Sequence, residues 1–279
     1  MTAQDDRPVG VFDSGLGGLT VARALIDLLP DEDVVYFGDT GRFPYGPKPR
    51  DELVKHSIEI ADLLIDRGVK LIVVACNSAA SAALDVLRDR CDVPVAGVVE
   101  PGVRAAASVT RTGRVGVIGT VGTVASGAYQ RAAAGLARTS DAPPIELFCA
   151  ACPGFVEFVE MGDVDSDQVH VLAERLLAPI KDAEVDTLVL GCTHYPLLAR
   201  TIGDVMGRDV VLVSSADETA FEVRALLDET GARRRPAGAA AGRAPRHRFV
   251  TSGDPSTFGT LGARFLGPEV CDVESWRWT

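Results

Sequence analysis

The segment at residues 71–79, LIVVACNSA, constrains the fold more than any other part of the chain. Its branched apolar residues predict a buried strand of a parallel sheet, which gives way to Cys76, Asn77 and Ser78. The alanine-rich residues 79–89 predict a following helix, with Ser78 as its N-cap. Ligands bind where such strands end, so Cys76 is a candidate site residue, although a lone cysteine more often only packs.

A second segment repeats this arrangement. Residues 187–195, TLVLGCTHY, combine an apolar strand with Cys192, Thr193 and His194. The strands that open each half also match, since residues 9–15 read VGVFDSG and residues 115–121 read VGVIGTV. The period is too long for a solenoid, so the pattern predicts a duplicated domain whose two cysteine ends face each other across a cleft.

Apolar strands alternate with amphipathic helices along the chain, which predicts an α/β fold with two pseudo-symmetric domains, each a mainly parallel sheet flanked by helices. The active site is expected in the cleft between them. Because the late strands are expected to rejoin the first sheet, we predict a discontinuous first domain of residues 1–98 plus 210–279. Residues 99–209 would form the second domain. The basic, breaker-rich segment 231–246 predicts a mobile loop.

Composition excludes several classes of protein. The net charge of −11 argues against general nucleic-acid binding. No apolar stretch approaches the length of a membrane span, and the polar, acidic start of the sequence does not resemble a signal peptide. We therefore expect a cytoplasmic protein with free thiols.

The sequence argues against three kinds of cofactor or metal site. The GLGG loop lacks the full dinucleotide fingerprint, although Asp39 is a candidate for its acidic residue. Cys149 and Cys152 form one C-x-x-C pair, but a structural zinc site needs a second pair. A pyridoxal phosphate racemase needs a Schiff-base lysine, and none of the lysines ends a predicted strand. We expect no cofactor and no metal.

Two facing cysteines suit the racemisation of an amino acid, which removes the α-proton from one face and returns a proton to the other. One cysteine would act as a thiolate and the other as a thiol, and the roles would exchange with direction. Asp13 and His194 also stand at predicted strand ends and are expected to assist the cysteines, because neighbouring polar groups and helix N-termini stabilise a thiolate.

Short motifs spread over nearly the whole chain carry a family resemblance. They are FDSGLGG at 12–18, PYGP at 44–47, ACNSA at 75–79, GT at 119–120, ACP at 151–153 and GCTHYP at 191–196. With these motifs the chain resembles the glutamate racemases of the aspartate/glutamate racemase superfamily. The resemblance implies a cofactor-independent enzyme with two pseudo-symmetric α/β domains that supplies D-glutamate for peptidoglycan synthesis.

The same resemblance implies roles for individual residues. Cys76 and Cys192 would exchange protons with D-glutamate and L-glutamate respectively, and Glu160 would assist the catalytic histidine. The implied catalytic set is Cys76, Cys192, Asp13, His194 and Glu160. The implied glutamate-binding residues are Asp13, Ser14, Pro44, Tyr45, Gly46, Asn77, Ser78, Thr120, Thr123, Thr193 and His194. The sequence departs from the family at Ser78, where threonine is usual, so the hydroxyl is kept and a methyl group is lost.

Two other functions remain open at this stage. An aspartate racemase would have the same fold, although the Tyr45–Gly46 loop and the CTHYP motif favour glutamate. A regulatory role is the other, since some glutamate racemases restrain DNA gyrase. The residues that would form such a contact are Arg233, Arg234, Arg235, Arg243 and Arg246, for which a solvated loop is the simpler interpretation. A homodimer is expected only as the commonest oligomer.

Overall fold

The computed structural model describes residues 5–139, 144–234 and 244–278, and its strands form two parallel sheets flanked by helices. The strands are β1 (Val9–Asp13), β2 (Val34–Gly38), β3 (Leu71–Val74), β4 (Val95–Gly97), β5 (Arg114–Gly119), β6 (Glu146–Ala151), β7 (Thr187–Gly191), β8 (Val211–Val213), β9 (His247–Thr251) and β10 (Glu274–Ser275). The helices are α1 (Leu19–Leu28), α2 (Arg50–Asp66), α3 (Asn77–Arg90), α4 (Val99–Val109), α5 (Val121–Ala125), α6 (Ala128–Thr139), α7 (Phe155–Met161), α8 (Asp167–Asp182), α9 (Ala199–Met206), α10 (Ala216–Glu229) and α11 (Pro255–Leu266).

The two sheets share one strand order, which explains the sequence repeat. The larger sheet runs β10-β9-β2-β1-β3-β4 and the smaller runs β6-β5-β7-β8. The order β2-β1-β3-β4 therefore corresponds to β6-β5-β7-β8, with β3 equivalent to β7. This correspondence confirms the predicted pseudo-symmetric α/β fold, and it places Cys76 and Cys192 after equivalent strands.

The central strands are continuous apolar runs because helices cover both faces of each sheet. Every residue of β1, β3 and β7 is buried. One turn needs a special backbone conformation: α2 ends before Gly68, whose φ of +74° is the left-handed conformation that glycine supplies at helix ends. No helix among the described residues is long and apolar enough to cross a membrane.

The sheet assignment corrects one boundary of the predicted domains. The strand β8 pairs with β7 in the smaller sheet, so residues 211–213 do not rejoin the first sheet as predicted. The strands β9 and β10 do rejoin it. The division into domains 1–98 plus 210–279 and 99–209 otherwise stays a prediction.

The predicted mobile loop at 231–246 has anchored ends, while its residues 235–243 lie outside the described part of the chain. Arg234 is only 4% exposed, and its Nη1 atom donates to Asp33 Oδ1 at 2.7 Å. The backbone N–H groups of Arg234 and Arg246 donate to Glu32 and Asp33, both at 2.8 Å. These buried carboxylates need cationic partners, so the expectation of a solvated Arg234 is wrong.

Candidate active site

A cavity of about 120 Å³ lies where the carboxyl ends of β3 and β7 meet. Its lining includes most of the residues that the sequence singles out. Those residues are Ser14, Pro44, Tyr45, Gly46, Cys76, Asn77, Ser78, Thr120, Cys192, Thr193 and His194. The pseudo-symmetric fold thus brings both strand-end cysteines to one cavity.

Three further predicted residues lie behind the cavity wall. Asp13 accepts a hydrogen bond from Thr193, Thr123 bonds Thr120, and Glu160 bonds His194. Each of them therefore reaches the cavity through a residue that lines it.

Cys76 is the N-cap of α3. Its Sγ atom accepts from the backbone N–H of Ala79 at 3.5 Å and lies 3.7 Å from Ser14 Oγ. The prediction of Ser78 as the cap is wrong, because the helix already begins at Asn77. Burial raises the pKa of the Cys76 thiol to about 12, with a further contribution from the negative charge of Asp13.

Asp13 connects the two cysteine loops. It is fully buried at the end of β1, where Oδ1 accepts from Gly15 N–H at 2.8 Å and Oδ2 accepts from Thr193 Oγ1 at 3.2 Å. Burial raises the pKa of this carboxyl, and the positive charge of His194 opposes the rise. Asp13 is therefore placed to act on the charges at both cysteines.

Cys192 is the first member of a chain of polar contacts. Its Sγ atom lies 3.9 Å from Nδ1 of His194, whose Nε2 atom lies 2.6 Å from Glu160 Oε1. Burial alone would lower the pKa of His194, but hydrogen bonds to Cys192 and Glu160 outweigh it and raise the pKa to about 10. His194 is consequently an imidazolium at neutral pH, the kind of neighbour beside which a cysteine sulfur holds negative charge.

Two glycines allow the loops to approach this closely. A Cβ atom at Gly17 would lie 2.3 Å from Thr193 Oγ1, so only glycine fits beside the Thr193–His194 loop. The carbonyl of Gly46 accepts from Gly122 N–H at 3.1 Å, and a Cβ atom at Gly46 would lie 2.9 Å from that of Thr120. These approaches close the cavity from two sides.

Hydroxyl groups and a helix end supply donors for an anionic ligand. Ser78 Oγ lies 3.0 Å from Thr120 Oγ1 and 3.3 Å from Thr123 Oγ1. None of the described lining residues is lysine or arginine. Apart from the imidazolium of His194, a bound carboxylate would therefore meet neutral donors and the N-terminus of α3, whose dipole favours negative charge.

The cavity also involves residues that the sequence did not assign to the site. Cys152 lines it and is 1% exposed, and burial raises the pKa of its thiol to about 12. Its place in the ACP motif was a usable signal. Tyr129 Oη lies 2.9 Å from Asn77 Nδ2, on a helix, α6, that the sequence did not predict. Among the described residues, no group of three or more His, Cys, Asp or Glu could hold a metal ion.

Comparison with known proteins gives this geometry a family. Residues 19–222 match the model of the Asp/Glu/Hydantoin racemase family. The glutamate racemase of Beutenbergia cavernae is 52% identical over 96% of this chain and 92% of its own length. The structure of glutamate racemase isoform RacE1 from Bacillus anthracis is 38% identical, covers 99% of this chain and 98% of its own, and superposes with a TM-score of 0.89.

A liganded structure is similar as well. The glutamate racemase of Francisella tularensis, solved in complex with D-glutamate, is 34% identical, covers 98% of each chain and gives a TM-score of 0.86. The matched residues 19–222 hold both strand-end cysteines, the imidazolium at His194 and the hydroxyl cluster at the cavity. The chain therefore belongs to the Asp/Glu/Hydantoin racemase family.

Proposed function

We propose that this protein interconverts L-glutamate and D-glutamate by a two-cysteine mechanism that needs no cofactor. One observation carries the proposal: cysteines after equivalent strands of two pseudo-symmetric halves line the same cavity. Racemisation needs one acid–base group on each face of the α-carbon, and this arrangement supplies two. The relatives named glutamate racemase give the substrate.

The Cys192 side suits proton removal. The Cys192 thiolate takes the α-proton from L-glutamate while His194, held by Glu160, keeps its positive charge beside the sulfur. A desolvated base close to a weakly acidic C–H group is what this step requires. The assignment of L-glutamate to Cys192 comes from the family resemblance.

The Cys76 side suits proton delivery. Its thiol, with a pKa raised to about 12 by burial, stays protonated until Cys192 has removed the α-proton from the opposite face of the substrate. It then gives its proton to the carbanion at the α-carbon. After delivery, the Ala79 N–H and the N-terminus of α3 stabilise the new thiolate. In the reverse direction the same two groups exchange roles, so each turnover uses both sulfurs.

The remaining residues hold the substrate. Ser78, Thr120 and Thr123 present hydroxyls, and the first turn of α3 presents backbone N–H groups to a carboxylate. The ammonium group needs acceptors, and Asn77 Oδ1 is a buried acceptor with no partner among the described residues. The Tyr45–Gly46 loop closes the far side of the cavity.

Incubation of the purified protein with L-glutamate, without added cofactor, tests the function. The optical rotation should decay to zero, and chiral chromatography should show equal amounts of the two enantiomers. L-aspartate in a parallel reaction tests the alternative of an aspartate racemase. Turnover of aspartate in preference to glutamate, or no turnover without pyridoxal phosphate, would contradict the proposal.

The wider roles are also proposals. The D-glutamate formed would supply peptidoglycan synthesis in the cytoplasm, as the family resemblance implies, and the protein would act as a homodimer. The hypothesis of a DNA gyrase contact loses support, because Arg234, one of the arginines that would form it, is buried in ion pairs. Deletion of residues 235–243 followed by racemisation and supercoiling assays would show whether the arginine-rich segment has either function.

A further inference from the structure

The loop at residues 39–47 forms one wall of the cavity, with Phe43, Pro44, Tyr45 and Gly46 among the lining residues. Asp39 begins this loop directly after β2 and is fully buried. The sequence alone suggests Asp39 only as a loose candidate for binding a dinucleotide. Its contacts in the structure indicate a structural role in the loop.

The Asp39 carboxylate joins the loop to the late part of the chain. Oδ2 accepts from Arg42 Nε at 2.7 Å and from Tyr45 Oη at 2.5 Å, both within the loop. Oδ1 accepts from Ser252 Oγ at 2.6 Å and from Trp278 Nε1 at 2.9 Å. One oxygen therefore holds the loop, while the other is held by residues after β9 and β10.

Trp278 packs against the loop in addition to donating to it. The guanidinium carbon of Arg42 lies 3.8 Å from the centre of the Trp278 ring, a cation–π contact. The same ring meets Phe37 of β2 edge to face at 5.5 Å. The indole is thus fixed between the sheet and the loop, with its N–H aimed at Asp39.

The position of Tyr45 determines where Gly46 lies. Tyr45 is 1% exposed, and its hydroxyl ends on Asp39 while its neighbour Gly46 accepts from Gly122 across the cavity. A displaced Tyr45 would therefore weaken the contact between the loop and the half of the chain that holds Cys192.

We propose that Asp39 and Trp278 are positioning residues that hold the Tyr45–Gly46 wall in the conformation that binds substrate. Neither touches the reacting atoms, so they act through Tyr45. The kinetic part of this inference rests on the proposed racemisation of glutamate, whereas the position of the loop is measurable without substrate.

The decisive variant is Trp278→Phe, with Trp276→Phe as its matched control. Phenylalanine keeps an aromatic ring at 278 but removes the N–H donor to Asp39. The indole nitrogen of Trp276 has no hydrogen-bond partner among the described residues, so its loss removes no such contact. We expect the KM of Trp278→Phe to rise about fivefold to tenfold for both enantiomers, on the scale of one ordinary net hydrogen bond, with kcat within about twofold.

A second measurement needs no catalysis. The chain contains two tryptophans, so Trp276→Phe leaves Trp278 as its sole indole reporter. D-glutamate should change the emission of that protein and leave the emission of Trp278→Phe unchanged. Hydrogen exchange of substrate-free peptides covering residues 40–48 should be faster in Trp278→Phe than in Trp276→Phe.

The outcomes separate this inference from the proposed function. A parent protein that does not racemise glutamate would overturn the function, while the exchange rates would still decide the loop. An active parent with equal KM and equal exchange in both variants would overturn the positioning role. If Trp278→Phe does not fold, Ser252→Ala, which removes the other donor to Oδ1 of Asp39, provides the test. A KM rise smaller than that expected for Trp278→Phe supports the inference, and an unchanged KM overturns it.

Discussion

The two cysteine ends of the cavity occupy equivalent places in the fold but have different surroundings. The Cys76 thiol meets neutral groups: its sulfur accepts from the backbone N–H of Ala79, and its S–H donates to the hydroxyl oxygen of Ser14. The Cys192 sulfur meets an imidazolium that is itself held by Glu160. The two ends share their backbone position in the sheets and differ in the groups around the sulfur.

Because of this difference, the two ends of the substrate-free site differ in charge. Burial and the charge of Asp13 keep Cys76 a thiol, whereas the positive charge of the site lies beside Cys192. This asymmetry is what the proposed mechanism uses when Cys192 takes a proton and Cys76 gives one. The ends are also coupled, since Asp13 bonds Thr193 next to Cys192 and also raises the pKa of Cys76.

Loss of either cysteine should have the largest effect. We expect Cys76→Ala and Cys192→Ala to lose racemisation by about 10³-fold or more in both directions, because every turnover uses both groups. Each remaining thiolate can still exchange the α-proton on its own face. In heavy water Cys76→Ala should label L-glutamate, and Cys192→Ala should label D-glutamate.

The unequal surroundings sharpen this prediction through pH. Cys76→Ala keeps the Cys192–His194 pair and should exchange near neutral pH. Cys192→Ala depends on Cys76, whose pKa is raised to about 12, so its exchange should grow as the pH rises. Racemisation near the parent rate, or labelling of the same enantiomer by both variants, would contradict the two-base assignment.

Glu160→Gln should have the next largest effect. The hydrogen bond to Glu160 helps to raise the pKa of His194 to about 10, so its loss lowers that pKa. The imidazolium then loses its proton at a lower pH, so the alkaline limb of the kcat/KM profile should shift to lower pH. We expect about a 10²-fold loss of kcat/KM at neutral pH, within the range of general acid–base catalysis.

A second His–Glu pair provides the control for Glu160→Gln. His170 and Glu174 lie 3.8 Å apart on α8, and their side chains are 42% and 62% exposed. Glu174→Gln should leave the pH profile unchanged. An equal shift in both variants, or none in Glu160→Gln, would count against a special role of the Cys192 side.

The sequence predicted the features of the two ends that depend on local pattern, namely the strand-end cysteines. Cys76 and Cys192 each end an apolar run, and strand ends in α/β sheets are where ligands bind. The helper groups depend on distant contacts: Glu160 is 34 residues from His194, and Trp278 is 239 residues from Asp39. No local pattern encodes such pairs, so Glu160 was available only through the family resemblance.

The errors have physical reasons as well. Cysteine is not among the usual N-caps, so Ser78 was preferred although Cys76 caps α3. The helix α4 was not predicted: it starts at Val99, where the domain boundary was placed, and its first turn contains Pro101, a position at which proline is tolerated. The short strand β8 carries no signal for which sheet it joins, since both sheets have parallel edges.

The first residue after each cysteine should have intermediate effects. Asn77 bonds Tyr129, and Thr193 bonds Asp13. We expect Asn77→Ala and Thr193→Ala to weaken glutamate use by roughly 1.5–3 kcal/mol each, as for hydrogen bonds to a charged group, without unfolding the protein. Tyr129→Phe, which only removes the partner of Asn77, should cost less. Unchanged steady-state kinetics in folded variants would remove these residues from the site.

Substitution of Ser78, the second residue after Cys76, should give the smallest effect. Ser78 corresponds to His194, but its hydroxyl bonds Thr120 and Thr123 and not the Cys76 sulfur. Ser78→Thr keeps the hydroxyl and restores the residue usual in the family, so its kcat/KM should stay within about twofold of the parent value. Ser78→Ala removes the hydroxyl and should weaken substrate binding by about 1 kcal/mol, seen as a higher KM. Since Ser78 does not act on the sulfur, neither variant should move the pH profile, in contrast to Glu160→Gln. A shifted pH limb in Ser78→Ala would mean that the hydroxyl cluster tunes Cys76, and the two ends would then be more alike than their contacts indicate.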